Sequence, residues 1–243
     1  TQALRSPGST FKLFPYLAAL KKGIKPEDFF IDRPKCWEAY CPKNFAGKYL
    51  GKVTMADAFS QSLNTIAVEL LDRVGFKEVI SVANKLGVGK KQKLGHYYPL
   101  AIGAYEQTLL DMTAAYSGVA NKGFYIQPTP FEEIRGANNS LIWSSKSREN
   151  FRHKGIDESV ADAMNLMLRQ AVENGTGQAA AIPSEIVGGK TGTSEGARDL
   201  WFIGSIQDLT SGIWLGYDDN RSTEMSSGEA ANLWKIFMLD IIK

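Results

Sequence analysis

Histidine and cysteine are scarce in this chain of 243 residues, which contains two of each. With so few histidine and cysteine ligands a metal site is disfavoured, and we expect no metal and no cofactor. The chain also lacks an apolar run near the roughly 20 residues that span a bilayer, and it lacks a signal-peptide pattern at its start. The net charge is only +2 and the basic residues are scattered, which argues against nucleic-acid binding. We therefore expect a globular domain, with any membrane anchor outside this chain.

The two cysteines lie close together in a segment bounded by two prolines. Cys36 and Cys41 are separated by four residues, between Pro34 and Pro42. Such a pair indicates a small disulfide-closed loop and hence an oxidising compartment. Two reduced thiols are the alternative, and a Cα separation beyond about 7 Å would exclude the bond.

A candidate nucleophile and base lie near the start of the chain. Ser9 and Lys12 follow a Pro-Gly pair and precede the apolar segment 13–20, which predicts a helix ending near Gly23. Residues i and i+3 share a helix face, so the Ser9 hydroxyl and the Lys12 amine are predicted to meet. The helix dipole and neighbouring Phe side chains favour a neutral amine. About one or two Ser-x-x-Lys patterns are expected by chance, so a capped helix with a solvated lysine is the alternative.

The segment Lys190-Thr191-Gly192-Thr193 is a more specific signal, because about 0.004 such matches are expected by chance. It ends a β-rich run. A strand of this kind suits an extended, anionic peptide end: Lys190 supplies charge and the two threonine hydroxyls donate to a carboxylate. Gly192 would let a substrate backbone lie along the strand edge.

The remaining pattern predicts an α+β fold, with an antiparallel sheet covered by helices and a mainly helical lobe. We assign the helical lobe to about 13–127 and the sheet lobe to about 1–12 and 128–243, as one domain. Residues 24–53 show no sustained period and are interpreted as a surface connection. Helices are predicted at 54–75, opening with a capping box, and at 76–86, 108–122, 157–173 and 228–242. Strands are predicted at 141–143 and, as an antiparallel meander, at 186–193, 200–206 and 212–217.

A third motif, Ser62-Leu63-Asn64, is weak alone, with about 0.8 chance matches expected. Its alternative is a polar break between helical turns. The order Ser9, Ser62, Lys190, however, resembles the transpeptidase domain of class A penicillin-binding proteins. The likeness covers nearly the whole chain, and its further segments are 5–8, 101–103, 114–123, 175–177, 199–204 and 214–219.

The resemblance implies a β-lactamase/transpeptidase-like fold and a D,D-transpeptidase that β-lactams inhibit. It implies that Ser9 attacks a D-Ala-D-Ala peptide, that Lys12 takes the proton, and that Ser62 and Lys190 relay it to the leaving D-Ala. The backbone N–H groups of Ser9 and Thr193 would form the oxyanion hole.

By the same likeness, Asn64 orients the donor peptide's amide and the lysine, while Thr191 and Thr193 hold the terminal carboxylate. The implied partners are peptidoglycan stem peptides, β-lactams and other cell-wall synthesis proteins, and the implied location is extracytoplasmic.

The chain departs from the family pattern in two ways. Many members place a proline directly after the motif lysine, whereas here it is Pro15, which should leave the Phe11 carbonyl unpaired and kink the helix. Family members also carry sheet strands ahead of the nucleophile, and class A proteins carry a glycosyltransferase domain and a membrane anchor there. We expect all of these upstream of this chain.

Other enzyme classes fit the sequence less well. Residues 192–196 match the G-x-S-x-G of α/β-hydrolases, but both histidines precede Ser194 and a β-rich run follows it. No Glu-x-x-x-Asn of class A β-lactamases is present. A serine β-lactamase, a D,D-carboxypeptidase and a β-lactam sensor remain alternatives, as does a non-catalytic scaffold, which the intact Ser9, Lys12 and Lys190 disfavour.

Overall fold

The computed structural model describes residues 2–147 and 151–242, in which helices and antiparallel strands alternate. The helices are α1 (Leu13–Lys21), α2 (Met55–Ser60), α3 (Asn64–Val74), α4 (Phe76–Lys85), α5 (Leu109–Ala120), α6 (Glu158–Glu173) and α7 (Ser227–Ile241). The strands are β1 (Phe29–Asp32), β2 (Gly51–Thr54), β3 (Phe124–Ile126), β4 (Glu133–Arg135), β5 (Leu141–Ser144), β6 (Arg152–Lys154), β7 (Val187–Thr193), β8 (Asp199–Ile206) and β9 (Leu209–Gly216). Among the described helices, none has the length and apolar character needed to cross a bilayer.

Side-chain caps begin several of these helices where the sequence predicts them. The Thr54 hydroxyl accepts from the Asp57 N–H at 3.0 Å, and the Thr108 hydroxyl accepts from the Asp111 N–H at 3.1 Å. Each bond satisfies an N–H that the helix itself cannot pair. The helix starts predicted near residues 54 and 108 are therefore confirmed.

The three C-terminal strands form an antiparallel sheet in the order β7-β8-β9, which confirms the predicted meander. Lys190 of β7 lies opposite Ile203 of β8, and Gly192 lies opposite Trp201. The Lys-Thr-Gly strand is therefore an edge strand, with β8 behind it. Within the described ranges β9 pairs only with β8.

Strand β8 connects two apolar cores because its side chains alternate between the two faces of the sheet. Trp201 and Ile203 belong to a cluster with helices α1 to α6. Phe202 belongs to a second cluster with Trp234 of α7, and the two rings make an edge contact with centroids 5.2 Å apart. Helices thus cover both faces of the sheet, which is the predicted α+β arrangement.

The prediction that residues 24–53 form an irregular surface connection is wrong. Strands β1 and β2 lie within or beside this segment and pair antiparallel, with Phe30 opposite Val53. Asp32 and Asn44 are buried. Four-residue strands are too short to produce a detectable period, which explains why the sequence did not indicate them.

Cys36 and Cys41 form a disulfide in this segment, with their Cα atoms 4.1 Å apart.

The first helix begins differently from the prediction. Residues Gly8–Lys12 form a 3₁₀ turn, and α1 starts only at Leu13. Pro15 therefore lies in the first turn of α1, where a missing N–H costs nothing. The Phe11 carbonyl accepts a backbone N–H at the junction of this turn with α1. The predicted unpaired carbonyl and interior kink are wrong for this reason.

Candidate active site

Ser9 lies, half-buried, in the 3₁₀ turn Gly8–Lys12, which we call the nucleophile turn. In 3₁₀ geometry residues i and i+3 eclipse, so Ser9 and Lys12 lie on one side of the turn. The turn is fixed from outside by Tyr116 of α5, whose hydroxyl donates to the Thr10 carbonyl at 2.8 Å. The serine is thus presented by a rigid element rather than by a loop.

Lys12 is fully buried, and its amine faces the Ser62–Asn64 segment. Nζ lies 2.5 Å from the Ser62 carbonyl oxygen, 3.1 Å from the Ser62 hydroxyl and 2.6 Å from Asn64 Oδ1. No hydrogen bond joins the Lys12 amine to the Ser9 hydroxyl in the described residues, although the sequence predicted one. The two motifs are nevertheless brought together, since Lys12 connects the nucleophile turn to the Ser62–Asn64 segment.

The environment of Lys12 favours a neutral amine. Burial, and then the nearby positive charge of Lys190, lower the pKa of Lys12 well below its usual value. A neutral amine has two N–H donors and one lone pair. The two N–H groups match the carbonyl oxygens of Ser62 and of the Asn64 amide, which can accept. The lone pair matches the Ser62 hydroxyl, which can donate. The site therefore contains a buried amine that is able to accept a proton.

Ser62 occupies a helix-ending position that is usually glycine. Its φ is +56°, in the left-handed region. The Ser62 N–H donates to the Phe59 carbonyl at 3.0 Å and the Leu63 N–H donates to the Ala58 carbonyl at 2.9 Å, which is the Schellman arrangement at the end of α2. The predicted continuous helix over 54–75 is thus broken here. A non-glycine residue in this strained conformation is typical of a functional site.

This geometry makes Ser62→Gly an informative variant. Glycine removes the hydroxyl but adopts the left-handed conformation freely, so stability should stay equal or rise by up to about 1 kcal/mol. Acylation by penicillin should nevertheless slow by roughly 10-fold or more, because the family resemblance implies that the Ser62 hydroxyl relays a proton. Thermal unfolding and the rate of labelling with a fluorescent penicillin test both parts. An unchanged labelling rate would remove Ser62 from the mechanism.

Lys190 is also fully buried, on β7. Burial lowers its pKa to about 7. Its Nζ lies 3.2 Å from the Thr191 carbonyl oxygen and 3.4 Å from the Thr176 hydroxyl, and the Thr176 and Thr191 hydroxyls are 2.6 Å apart. With a pKa near neutrality, this amine can both carry charge and exchange a proton.

Glycines allow the nucleophile turn and β7 to touch. A Cβ on Gly8 would lie 2.4 Å from the Thr193 carbonyl oxygen, and a Cβ on Gly192 would lie 2.5 Å from the Pro7 carbonyl oxygen. Gly192 is thus needed for the packing of the turn, a different reason from the substrate contact that the sequence predicted. The backbones of Gly8 and Thr193 meet next to Ser9, where the oxyanion hole is predicted. The Thr193 side chain is exposed.

Sequence reasoning missed Thr176, Asn44 and Asp32. Thr176 lies in the Gly-Thr-Gly segment after α6, and its N–H donates to the Ser60 carbonyl at 3.1 Å. The family resemblance includes that segment, but no local pattern indicates that the Thr176 hydroxyl contacts β7.

Ser194 does not support the α/β-hydrolase alternative. Its hydroxyl donates to the Asp199 carboxylate and accepts from the Asp199 N–H, where β8 begins. Within the described ranges, no group of three or more His, Cys, Asp or Glu could hold a metal ion.

The sheet, its covering helices and the Ser-x-x-Lys turn beside the Lys-Thr-Gly strand define a β-lactamase/transpeptidase-like domain. The family model described as the penicillin binding protein transpeptidase domain matches residues 1–232, and the chain belongs to this family.

Known relatives agree with this assignment. Penicillin-binding protein 1A of Aquifex aeolicus (strain VF5) is 38% identical over 232 residues, covering 91% of this chain and 30% of the relative. Penicillin-binding protein 1A of Rickettsia prowazekii (strain Madrid E) is 34% identical over 244 residues, covering 90% and 31%. The chain therefore spans about a third of the length of these relatives.

A solved structure has the same fold at low sequence identity. The PonA1 protein from Mycobacterium tuberculosis, in complex with penicillin V, matches with a TM-score of 0.88 and 22% identity. The match covers 100% of this chain and 70% of the PonA1 chain.

Proposed function

We propose that this domain is a serine D,D-transpeptidase that cross-links peptidoglycan stem peptides, and that β-lactams acylate the same serine. The observation that carries the proposal is the buried Lys12 amine. It lies on the same turn as Ser9, its hydrogen-bond partners Ser62 and Asn64 are uncharged, and its lowered pKa makes it a base.

The proposed reaction has two half-reactions. Ser9 Oγ attacks the carbonyl of the penultimate D-Ala while Lys12 takes the hydroxyl proton. The C–N bond to the terminal D-Ala then breaks, and Ser62 and Lys190 pass a proton to the leaving amine. In the second half-reaction an acceptor amine attacks the acyl-enzyme, the cross-link forms, and Ser9 regains its proton.

The proposed binding groups surround this path. The N–H groups of Ser9 and Thr193 stabilise the oxyanion, and the meeting of the nucleophile turn with β7 supports that placement. Thr191 and Thr193 hold the terminal carboxylate, with Lys190 supplying charge. Asn64 orients both Lys12 and the donor amide.

The location and partners follow from the relatives as proposals. Both curated relatives are named Penicillin-binding protein 1A, so we place this domain outside the cytoplasm, acting on the cell wall. The disulfide between Cys36 and Cys41 fits an oxidising compartment. Other cell-wall synthesis proteins are the proposed partners.

Incubation with a D-Ala-D-Ala peptide, with and without an acceptor amine, tests the reaction class. We expect release of D-Ala and an acceptor-dependent cross-linked product. Release of D-Ala without cross-linking would indicate a carboxypeptidase, and rapid multiple turnover of penicillin would indicate a β-lactamase. Stable acylation by penicillin without peptide turnover would indicate a sensor.

A further inference from the structure

The N-terminus of α3 is capped by a side chain from a distant loop. Leu63, at the N-cap position, has no side-chain acceptor for the first N–H groups of the helix. Asn44 supplies it: its Oδ1 accepts from the Asn64 N–H at 2.8 Å and from the Thr65 N–H at 3.3 Å. The backbone of Asn64 is therefore fixed by a residue 20 positions away in the sequence.

Asn44 is itself fixed by a buried carboxyl group. Only 6% of Asn44 is exposed, and its Nδ2 donates to both oxygens of Asp32, at 2.8 and 3.0 Å. Asp32 is 1% exposed and also accepts from the Leu50 N–H at 2.7 Å and from the Thr65 hydroxyl. Breaking one member would leave buried polar groups unpaired, so the cluster holds one geometry.

The same loop sets the orientation of the Asn64 side chain. Asn64 Nδ2 donates at 2.7 Å to the carbonyl of Lys43, the residue before Asn44. A backbone carbonyl can only accept, so the amide nitrogen faces Lys43 and Oδ1 faces the Lys12 amine, 2.6 Å away. The loop thus controls both the backbone and the side chain of the residue that orients the base.

From this arrangement we infer that Asn44, fixed by Asp32, is a positioning residue for Asn64 and, through Asn64, for the base Lys12. The inference rests on the proposed function, in which Lys12 accepts the Ser9 proton. In the part of the chain that the structure describes, Asn44 forms no hydrogen bond to Lys12 or to the nucleophile turn, so its effect is indirect: it fixes where the Asn64 amide oxygen holds the Lys12 amine.

Asn44→Ala, compared with Asn165→Ala, tests the inference. Asn165 of α6 is a matched control because its amide also donates to a backbone carbonyl, that of Val119 on α5, at 3.1 Å. Acylation by a fluorescent penicillin should slow roughly 10- to 100-fold in Asn44→Ala, since misplacement of about 1 Å costs that order of rate. Saturation kinetics should place the loss in the acylation step rather than in initial binding. Asn165→Ala should acylate at the wild-type rate.

A rescue variant separates positioning from simple loss of fold. Asn44→Asp keeps the acceptor for α3 but sets a second carboxyl group against Asp32, so it should acylate slowly. Adding Asp32→Asn restores a donor facing an acceptor at this contact but not the 3.1 Å bond from Asn44 Nδ2 to the Lys48 carbonyl, so the double variant should acylate at least about 3-fold faster than Asn44→Asp. The acidic limb of the pH–rate profile, which reports Lys12, should shift in Asn44→Ala and return in the double variant.

Wild-type rates and an unshifted pH profile in Asn44→Ala would overturn the inference, as would equal losses in Asn44→Ala and Asn165→Ala. If wild type itself is not acylated, the proposed function fails instead. The inference is then decided by crystal structures of wild type and Asn44→Ala: an unchanged distance between Lys12 Nζ and Asn64 Oδ1 would overturn it, and a lengthened one would support it.

Discussion

Ser9→Ala should abolish covalent labelling by penicillin, because the proposed acyl-enzyme forms on the Ser9 hydroxyl and alanine has no atom to acylate. The fold should be retained, since Ser9 is only half-buried and its backbone stays in the nucleophile turn. Intact mass spectrometry after incubation with penicillin measures the effect directly. Wild type should gain the mass of one penicillin and keep it, because the sequence lacks the Glu-x-x-x-Asn pattern that activates water for deacylation in class A β-lactamases.

Ser159→Ala is the matched control for this variant. Ser159 is exposed in the first turn of α6, and its loss should leave labelling complete. Labelling of Ser9→Ala at the wild-type level would disprove the assignment of the nucleophile, and with it the proposed mechanism.

Lys12→Met should slow acylation by roughly 10²- to 10⁴-fold, because the Ser9 hydroxyl loses its general base. Methionine fills a similar volume without a charge, so the buried site should not collapse. The wild-type rate should fall as the pH is lowered through the depressed pKa of Lys12, since protonation removes the base. Lys12→Met should lose that dependence. Stopped-flow labelling over a range of pH provides the test.

Lys21→Met controls for the loss of a lysine, taken from the adjoining helix α1. Lys21 lies at the exposed end of α1, where it pairs with Glu78 at 2.5 Å. Such a surface pair contributes little, so activity should be unchanged. A Lys12→Met protein that folds and acylates at the wild-type rate would show that another group takes the Ser9 proton.

Much of the fold was predictable because its elements carry strong local signals. Amphipathic α4 and α6 and the apolar strand β8 lie within a few residues of their predicted ranges. Strands β1 and β2 were not predicted, because a strand of four residues has too few positions to show alternation. The 3₁₀ form of the nucleophile turn was also missed. The turn packs against β7 at a close approach that Gly8 and Gly192 permit, and helical spacing in the sequence gives no sign of that contact.

The candidate site was only partly predictable. Ser9, Lys12 and Lys190 were indicated by motifs in which neighbouring residues act together. Thr176 and Asn44 act across the fold, on residues 15 and 20 positions away, and polar residues in a loop carry no sign of such partners. Helical spacing predicts that the Lys12 amine meets the Ser9 hydroxyl, and the hydrogen bond found among the described residues joins it to the Ser62 hydroxyl at the end of α2.

The bonds that assemble the site also determine when it can exist during folding. Lys12 reaches Ser62 across 50 residues, and Tyr116 reaches the Thr10 carbonyl across 106. Contacts so distant in sequence form only after the intervening chain has brought their two segments together, which is slow compared with local structure. A partly folded chain would therefore hold a serine and a lysine that are chemically ordinary. Under the proposed function, a fluorescent penicillin labels only molecules in which the site has assembled. The increase in label during refolding therefore measures the rate at which the site assembles.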